Sequence, residues 1–259
     1  MNVYFYTDME GISGIDTAEM VESDSPSREY TRQRLMVDVN AAIDGAFAGG
    51  ADKVYVWDGH GSGVNFIEGE LDTRAIQIPL RNINPDELAY IDAFMLVGTH
   101  AMSGTQNAFL DHTQTSIHFH DYYINGRRYG EIGQYAVYAG YFDIPVVMLT
   151  GDEAACHEAR MFLGDVAVAP VKYAVERNKA ILYDIDKTSE TIRNAAIAGM
   201  QKIYKIKPHK PIFPIEVKIK FNRADYCDSW CPQFNFERID ARTARKIVHK
   251  LTKFHDLLY

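Results

Sequence analysis

Tyr4-Phe5-Tyr6-Thr7-Asp8-Met9-Glu10-Gly11 decides how this chain is read. An aromatic, strand-like run ends abruptly in two carboxylates and a glycine. Asp8 and Glu10 flank a single residue, so where the backbone is still extended their side chains point the same way. Gly11 lets the chain turn off the strand. Three further apolar runs end alike: Val54-Tyr55-Val56-Trp57 runs into Asp58-Gly59-His60, Phe94-Met95-Leu96-Val97 into Gly98-Thr99-His100, and Val146-Val147-Met148-Leu149 into Thr150-Gly151-Asp152-Glu153. Open α/β sheets bind ligands outside the carboxyl ends of their strands. Four strand ends carrying Asp, Glu and His therefore point to one shared polar site of metal-binding character.

Working outward, the segments between these runs have the period of helices. Leu35, Met36, Val39, Ala42, Ile43 and Phe47 recur at helical spacing, and Gly49-Gly50 end the run. With the strands on either side this makes a strand-helix-strand unit long enough for a right-handed crossover. Ile76–Ile78 reads as a short strand, Asn84-Pro85-Asp86-Glu87 as the start of a short helix, and Asn125-Gly126 as a hairpin turn. Gly130 opens a helix running through Tyr141, a second covers Ala154–Phe162, and Val166–Tyr173 is a further strand. Residues 101–120 carry little periodicity and much Ser, Thr, Gln, Asn and His, the texture of a functional loop.

Beyond about residue 175 the texture changes and no strand ends in an acidic or histidine cluster. Thr188–Tyr204 reads as an amphipathic helix, Ile215–Phe221 and Phe234–Ile239 as half-wet strands, and Ala241–Leu258 as a basic amphipathic helix. The expected architecture is α/β, a largely parallel, Rossmann-like sheet flanked by helices, followed by a smaller α+β domain. The division is a catalytic, metal-binding domain over residues 1–175 and the smaller domain over 176–259.

Composition limits the partners. The chain has 259 residues, 47% hydrophobic and 24% charged, with a net charge of −8. That is globular, and its acidity without any Lys/Arg run argues against nucleic acid. Three cysteines without a paired CxxC cluster read as reduced thiols of a cytoplasmic protein. The chain enters a strand at once and no apolar stretch approaches about 20 residues, so neither a secretory signal nor a membrane span is expected.

Among nine histidines, His209, His249 and His255 read as solvated, whereas His60 and His100 each follow a buried strand closely. Two imidazoles with Asp8 and Glu10 suit zinc better than magnesium or calcium, which prefer all-oxygen shells. Read locally, Glu131 fits a first-turn glutamate complementing the helix dipole better than a ligand, and Asp152 and Glu153 either cap the next helix, the favoured reading, or join the site. Asp58 is a candidate for orienting an imidazole. His112, His118 and His120 are equivalent candidates for ligand, acid-base or surface roles. There is no GxSxG elbow and no HExxH, and Cys156 and His157, adjacent on a helix, do not face each other.

Asp8-Met9-Glu10-Gly11-Ile12-Ser13-Gly14 resembles the N-terminal signature of the bacterial D-aminopeptidases, zinc peptidases also known as dipeptide transport proteins. The likeness continues through Asp58-Gly59-His60, Gly98-Thr99-His100-Ala101, Tyr123-Ile124-Asn125, Gly130-Glu131, Tyr138-Ala139-Gly140-Tyr141 and Pro145–Asp152. It implies two zinc ions per chain, held by Asp8, Glu10, His60, His100 and Glu131, with Asp8 as the bridge and His112 as the catalytic histidine. It implies an aminopeptidase acting on short peptides or amides with a free amino terminus and D-residues, such as D-Ala-D-Ala. It also implies a homo-oligomer, a large ring such as a decamer. Two departures stand out: Tyr6 occupies the place of the family's usual serine, and Ser103–Asp111 differs in sequence. The alternatives are a metallo-amidohydrolase for another small amide, or a non-catalytic α/β metal- or ligand-binding protein.

Overall fold

The computed structural model describes residues 1–259. The opening stretch forms β1 (Asn2–Thr7), whose two faces are both apolar: Val3 and Phe5 pack into one buried cluster, Tyr4 and Tyr6 into another. A strand with no wet face belongs inside a sheet covered on both sides. Helix α1 (Arg28–Ala48) leads to β2 (Lys53–Asp58), the edge strand β3 (Ala75–Gln77) and the one-turn α2 (Pro85–Leu88). Asn84 and Glu87 form a reciprocal capping box at the start of α2. Then follow β4 (Ala93–Thr99), the hairpin β5 (Phe119–Ile124) and β6 (Arg127–Arg128), α3 (Glu131–Tyr141), β7 (Val146–Asp152), α4 (Glu153–Leu163), β8 (Ala167–Glu176), β9 (Lys179–Leu182) and α5 (Ile185–Met200). The chain ends with β10 (Ile215–Phe221), α6 (Ala224–Phe234), β11 (Glu237–Arg238), β12 (Thr243–Val248) and a 3₁₀ turn at Phe254–Leu257.

The main sheet has seven strands in the order β3-β2-β1-β4-β7-β8-β9, parallel except for β9. The expected α/β, largely parallel architecture is therefore present. Leu35, Val39 and Ile43 of α1 meet Ile192 and Ala196 of α5 on one face. On the other face α3 and α4 share a cluster with Val217 and Ile219 of the second sheet. That sheet is antiparallel, in the order β11-β12-β10-β5-β6. The chain crosses between the sheets more than once: β5 and β6 leave the first part of the chain for the second sheet, while β9 and α5, beyond residue 175, complete the first.

The last segment corrects the sequence reading. Ala241–Leu258 is not a helix; it holds β12 and the 3₁₀ turn. Ala244 and Val248 are both buried, and a spacing of four satisfies the helical period and the strand period at once. Pairing of β12 with β10 and β11 decides in favour of the strand. Phe234–Ile239 likewise yields only the short β11, because Phe234 closes α6 and Asn235 turns the chain in the left-handed region at φ 57°. Cys227 and Cys231 lie one turn apart on α6 as free thiols, 3.7 Å between sulfurs. No helix is long and apolar enough to cross a membrane.

Candidate metal centre

Strand order reverses between β1 and β4: β2 and β3 lie to one side, β7 to β9 to the other. This is the switch point at which open α/β sheets form their ligand crevice. Asp8 and Glu10 follow β1, His60 follows β2 and His100 follows β4, so three adjacent strands deliver four polar side chains to one place. The backbone between Asp8 and Gly11 is laid tightly against β4, with Asp8 N–H donating to Val97 O and Gly11 N–H to Gly98 O, each at 2.8 Å. A β-carbon on Gly11 would fall 2.0 Å from Thr99 O, so only glycine permits this approach. Glu131 arrives as the first residue of α3, and His112 from the loop between β4 and β5.

Asp8 faces two imidazoles. Its Oδ1 lies 3.0 Å from His60 Nδ1 and its Oδ2 3.6 Å from His100 Nε2. Glu10 Oε2 is 3.3 Å from the same His60 nitrogen, and Glu131 Oε1 is 3.4 Å from His100 Nε2. Asp8-Glu10-His60, Asp8-His100-Glu131 and Glu10-His100-His112 each bring their donor atoms within 4.8 Å of one another. His112 stacks on His100 with centroids 3.9 Å apart, and its Nε2 lies 3.9 Å from Glu131 and 4.0 Å from Glu10. Carboxylate oxygens and imidazole nitrogens gathered this closely, each with an unshared pair directed inward, form a donor set that fits zinc.

Backbone acceptors set the imidazole tautomers. His100 Nδ1 lies 3.1 Å from Ala101 O and His112 Nδ1 lies 2.8 Å from Leu110 O. A carbonyl only accepts, so each Nδ1 carries hydrogen and Nε2 is the nitrogen turned to the centre, with a lone pair for a metal when the ring is neutral. The electrostatics are those of a crowded anionic pocket. Burial and the Glu10 charge push the Asp8 carboxyl up to about 7, against the pull of His60 and His100. Burial would lower His60, but Glu10 and Asp8 overcome it and raise it to about 11. Burial also opposes the charged form of His100, yet Glu131, Glu10 and Asp8 hold it well above the usual range. His112 goes the other way, lowered by burial and by the neighbouring His100. Its imidazole is accordingly neutral at pH 7.

Several supporting groups have no local signature in the sequence. Tyr6 OH donates to Asp8 Oδ2 at 3.1 Å, which gives the departure from serine a specific contact. Gln114 N–H donates to Glu131 Oε1 at 2.7 Å. Lys172, wholly buried on β8, donates to the carbonyls of Glu10, Ile12 and Ile15 at 2.6, 2.9 and 3.0 Å. Three acceptors match the three N–H bonds of an ammonium, although burial pushes its pKa down to about 7. From the α1 side, Asp38 takes the Ser13 N–H at 2.7 Å and the Ser13 hydroxyl at 2.6 Å. A lysine on the carbonyls and an aspartate on the donors thus grip the loop from two directions.

Other expectations resolve differently. Asp152 caps α4 by accepting Ala155 N–H and also takes Phe109 N–H from the His112 loop. Asp58 orients no imidazole; it accepts from Asn65 and Phe66 N–H and fixes the loop after His60. His118 bonds Thr115 and His120 bonds Asp121, both outside the centre. His249 is exposed as expected, whereas His209 and His255 are half-buried: His209 meets Tyr129 OH at 3.0 Å, and His255 lines the cleft above the centre.

A parallel sheet whose carboxyl edge gathers carboxylates and imidazoles into one cleft is the framework of a metal-dependent hydrolase. Residues 1–258 match the family described as D-aminopeptidase, and the chain belongs to that family. It is 32% identical over 227 residues to the D-aminopeptidase of Bacillus subtilis (strain 168), covering 83% of this chain and 81% of that one. Among solved structures it is similar to the Zn-dependent D-aminopeptidase DppA from Bacillus subtilis, a self-compartmentalizing protease. The TM-score is 0.92 at 25% identity, over 100% of this chain and 95% of the other.

Proposed function

We propose that this protein is a zinc aminopeptidase that hydrolyses short peptides or amides with a free amino terminus and prefers D-residues. Two ions per chain would be held by Asp8, Glu10 and His60 on one side and by Asp8, His100 and Glu131 on the other. The observation that carries this reading is the position of Asp8, whose two oxygens face His60 and His100 separately. Membership of the D-aminopeptidase family supports the substrate class. Ions bound there would supply Lewis acidity toward the scissile carbonyl and acidify water.

The remaining work falls to the chain's own side chains. His112 keeps its Nδ1 hydrogen on Leu110 O, so Nε2 is the atom that takes a proton from water and passes it to the departing amine. Its lowered pKa keeps that atom available at neutral pH. Tyr6 OH and Gln114 N–H fix the oxygens of Asp8 and Glu131 that face His100. Trp57, Tyr135 and Phe254 wall the cleft with aromatic surface and limit the water beside the reacting bond. We further read the protein as a cytoplasmic homo-oligomer: its cysteines are free, which suits a reducing compartment, and the similar DppA is self-compartmentalizing.

The test is metal analysis of the purified protein together with turnover of paired D- and L-aminoacyl substrates. Two zinc ions per chain and a D-preference are expected. No metal uptake overturns the zinc reading, and an L-preference with both metals present makes it a metallo-amidohydrolase of another specificity.

A further inference from the structure

The cleft over the metal centre has a volume of about 430 Å³, toward the small end of ligand sites. One wall is a continuous aromatic stack. Tyr6 packs on Tyr135 with centroids 4.0 Å apart, and Tyr135 lies parallel to Phe254 at 4.3 Å and 6°. Tyr6 touches Asp8 at the floor, so the wall rises from the metal centre toward the rim. The three side-chain carboxylates that line the cleft, Asp8, Glu10 and Glu131, belong to the floor, and Tyr259, the last residue, lines it as well without an ion pair to Arg81. Arg81 is the one Lys or Arg among its lining residues.

Arg81 is an exposed side chain on the lining of the cleft. Its guanidinium makes no hydrogen bond or ion pair within the chain, whereas Arg74, a few residues earlier, is held by Asp72 and Asp44. The backbone beneath it is nevertheless anchored. Leu80 and Ile83 are buried on either side, the turn Leu80–Asn82 is a 3₁₀ element, and Ile78 O accepts Tyr4 OH at 2.8 Å. A fixed backbone holding an unpaired planar cation at the wall of a cleft meets the requirements for capturing a carboxylate through two parallel N–H donors. The cleft is thus polarised, with the metal centre at one end, a guanidinium at another point of its lining and an aromatic surface along its side.

We propose that Arg81 is a carboxylate subsite: it binds the free C-terminal carboxylate of a short peptide whose amino end lies at the metal centre. This rests on the aminopeptidase reading and narrows it to peptides ending in a free carboxylate within the cleft, in preference to C-terminally blocked ones. Losing a charge-assisted pair of this kind costs roughly 10- to 100-fold.

The experiment compares D-alanyl-D-alanine with its C-terminal amide on the zinc-loaded protein and on Arg81→Gln, with metal content measured in both. The parent is expected to favour the free acid. Arg81→Gln should keep its metals, lose about 10- to 100-fold in kcat/KM for the free acid, mainly through KM, and change far less toward the amide. Arg81→Lys, which keeps charge without the planar fork, should recover part of the loss. Equal kcat/KM for acid and amide in the parent, or an equal loss on both in Arg81→Gln, overturns the proposal. If the zinc-loaded parent cleaves neither compound, the aminopeptidase reading falls, and calorimetric binding of the same two compounds decides the subsite separately. Tighter binding of the acid by the parent but not by Arg81→Gln upholds it; equal affinities overturn it.

Discussion

The Lys172 ammonium donates to the Glu10 carbonyl at 2.6 Å from a strand three places away in the sheet. Its other two acceptors, Ile12 O and Ile15 O, lie in the same loop, and the Phe109 ring sits 4.4 Å from the nitrogen. Strand β8 also reaches the loop that carries His112, since Arg177, just beyond its end, accepts Leu110 N–H on its carbonyl and donates its guanidinium to Asp111. One strand, β8, with the residue just past its end therefore braces the loops that carry both Glu10 and His112.

Lys172→Met keeps the length of the side chain and removes all three donors. Three carbonyls would be left short of a partner, a loss of about 3 kcal/mol or more. Denaturant unfolding should show it. Zinc competition against a chelator should show weaker retention, and an unchanged zinc affinity would mean that the loop holds Glu10 without the lysine.

If two ions are bound as proposed, Asp8→Ala should release both, because one carboxylate faces both histidines. His60→Ala, which touches one group only, should release one ion more readily than the other. Elemental analysis after gel filtration separates these cases; an Asp8→Ala protein that keeps both ions removes Asp8 as the bridge.

His112→Ala should fold, keep its metals and lose roughly 100- to 10,000-fold in turnover. Glu10, His100 and His112 also lie close enough together to hold an ion, so the measurement must pair metal content with rate on one preparation. Full activity refutes a catalytic role, and lost metal makes His112 a ligand.

Glu158 supplies a pH test at a group that is not itself a candidate ligand, although His100 and Glu131 act on it. It is buried, Oε2 accepts Met102 N–H at 2.7 Å, and Oε1 has no partner. Burial raises its pKa from 4.5 to about 7, with the Met102 N–H pulling the other way. The folded state then holds a proton that the unfolded state has released, so its contribution is fully present below 4.5 and is lost as pH rises through 7. Glu158→Gln should abolish that loss, making the metal-free variant more stable than the parent by roughly 2–3 kcal/mol at pH 8 and nearly equal to it at pH 4.5. Urea midpoints at the two pH values check this; parallel pH dependences in the two proteins would refute it.

Much of the candidate site was legible because its signals are local. Asp8, Glu10, His60 and His100 stand at the ends of apolar runs whose strand period needs no tertiary information, and parallel sheets collect ligands at such ends. Glu131 was ambiguous for a reason that the structure makes plain. It is both the first residue of α3 and a buried neighbour of His100, and only the first of these is written in its flanking residues. The resemblance to the D-aminopeptidases, not periodicity, separated His112 from His118 and His120.

By itself, then, the sequence determined the parallel α/β core and its acidic, histidine-bearing strand ends, since helix and strand periods and glycine turns are properties of a few consecutive residues. Tertiary structure alone decided that β12 is a strand, because residues spaced by four fit either period until β10 supplies a partner. It alone placed Tyr6 OH on Asp8, Arg81 on the wall of the cleft and Lys172 on Glu10 O, the last across a separation of 162 residues. A hydrogen bond to a backbone carbonyl carries no residue-type signature at the acceptor, so no pattern along the chain announces the lysine that holds the centre in place.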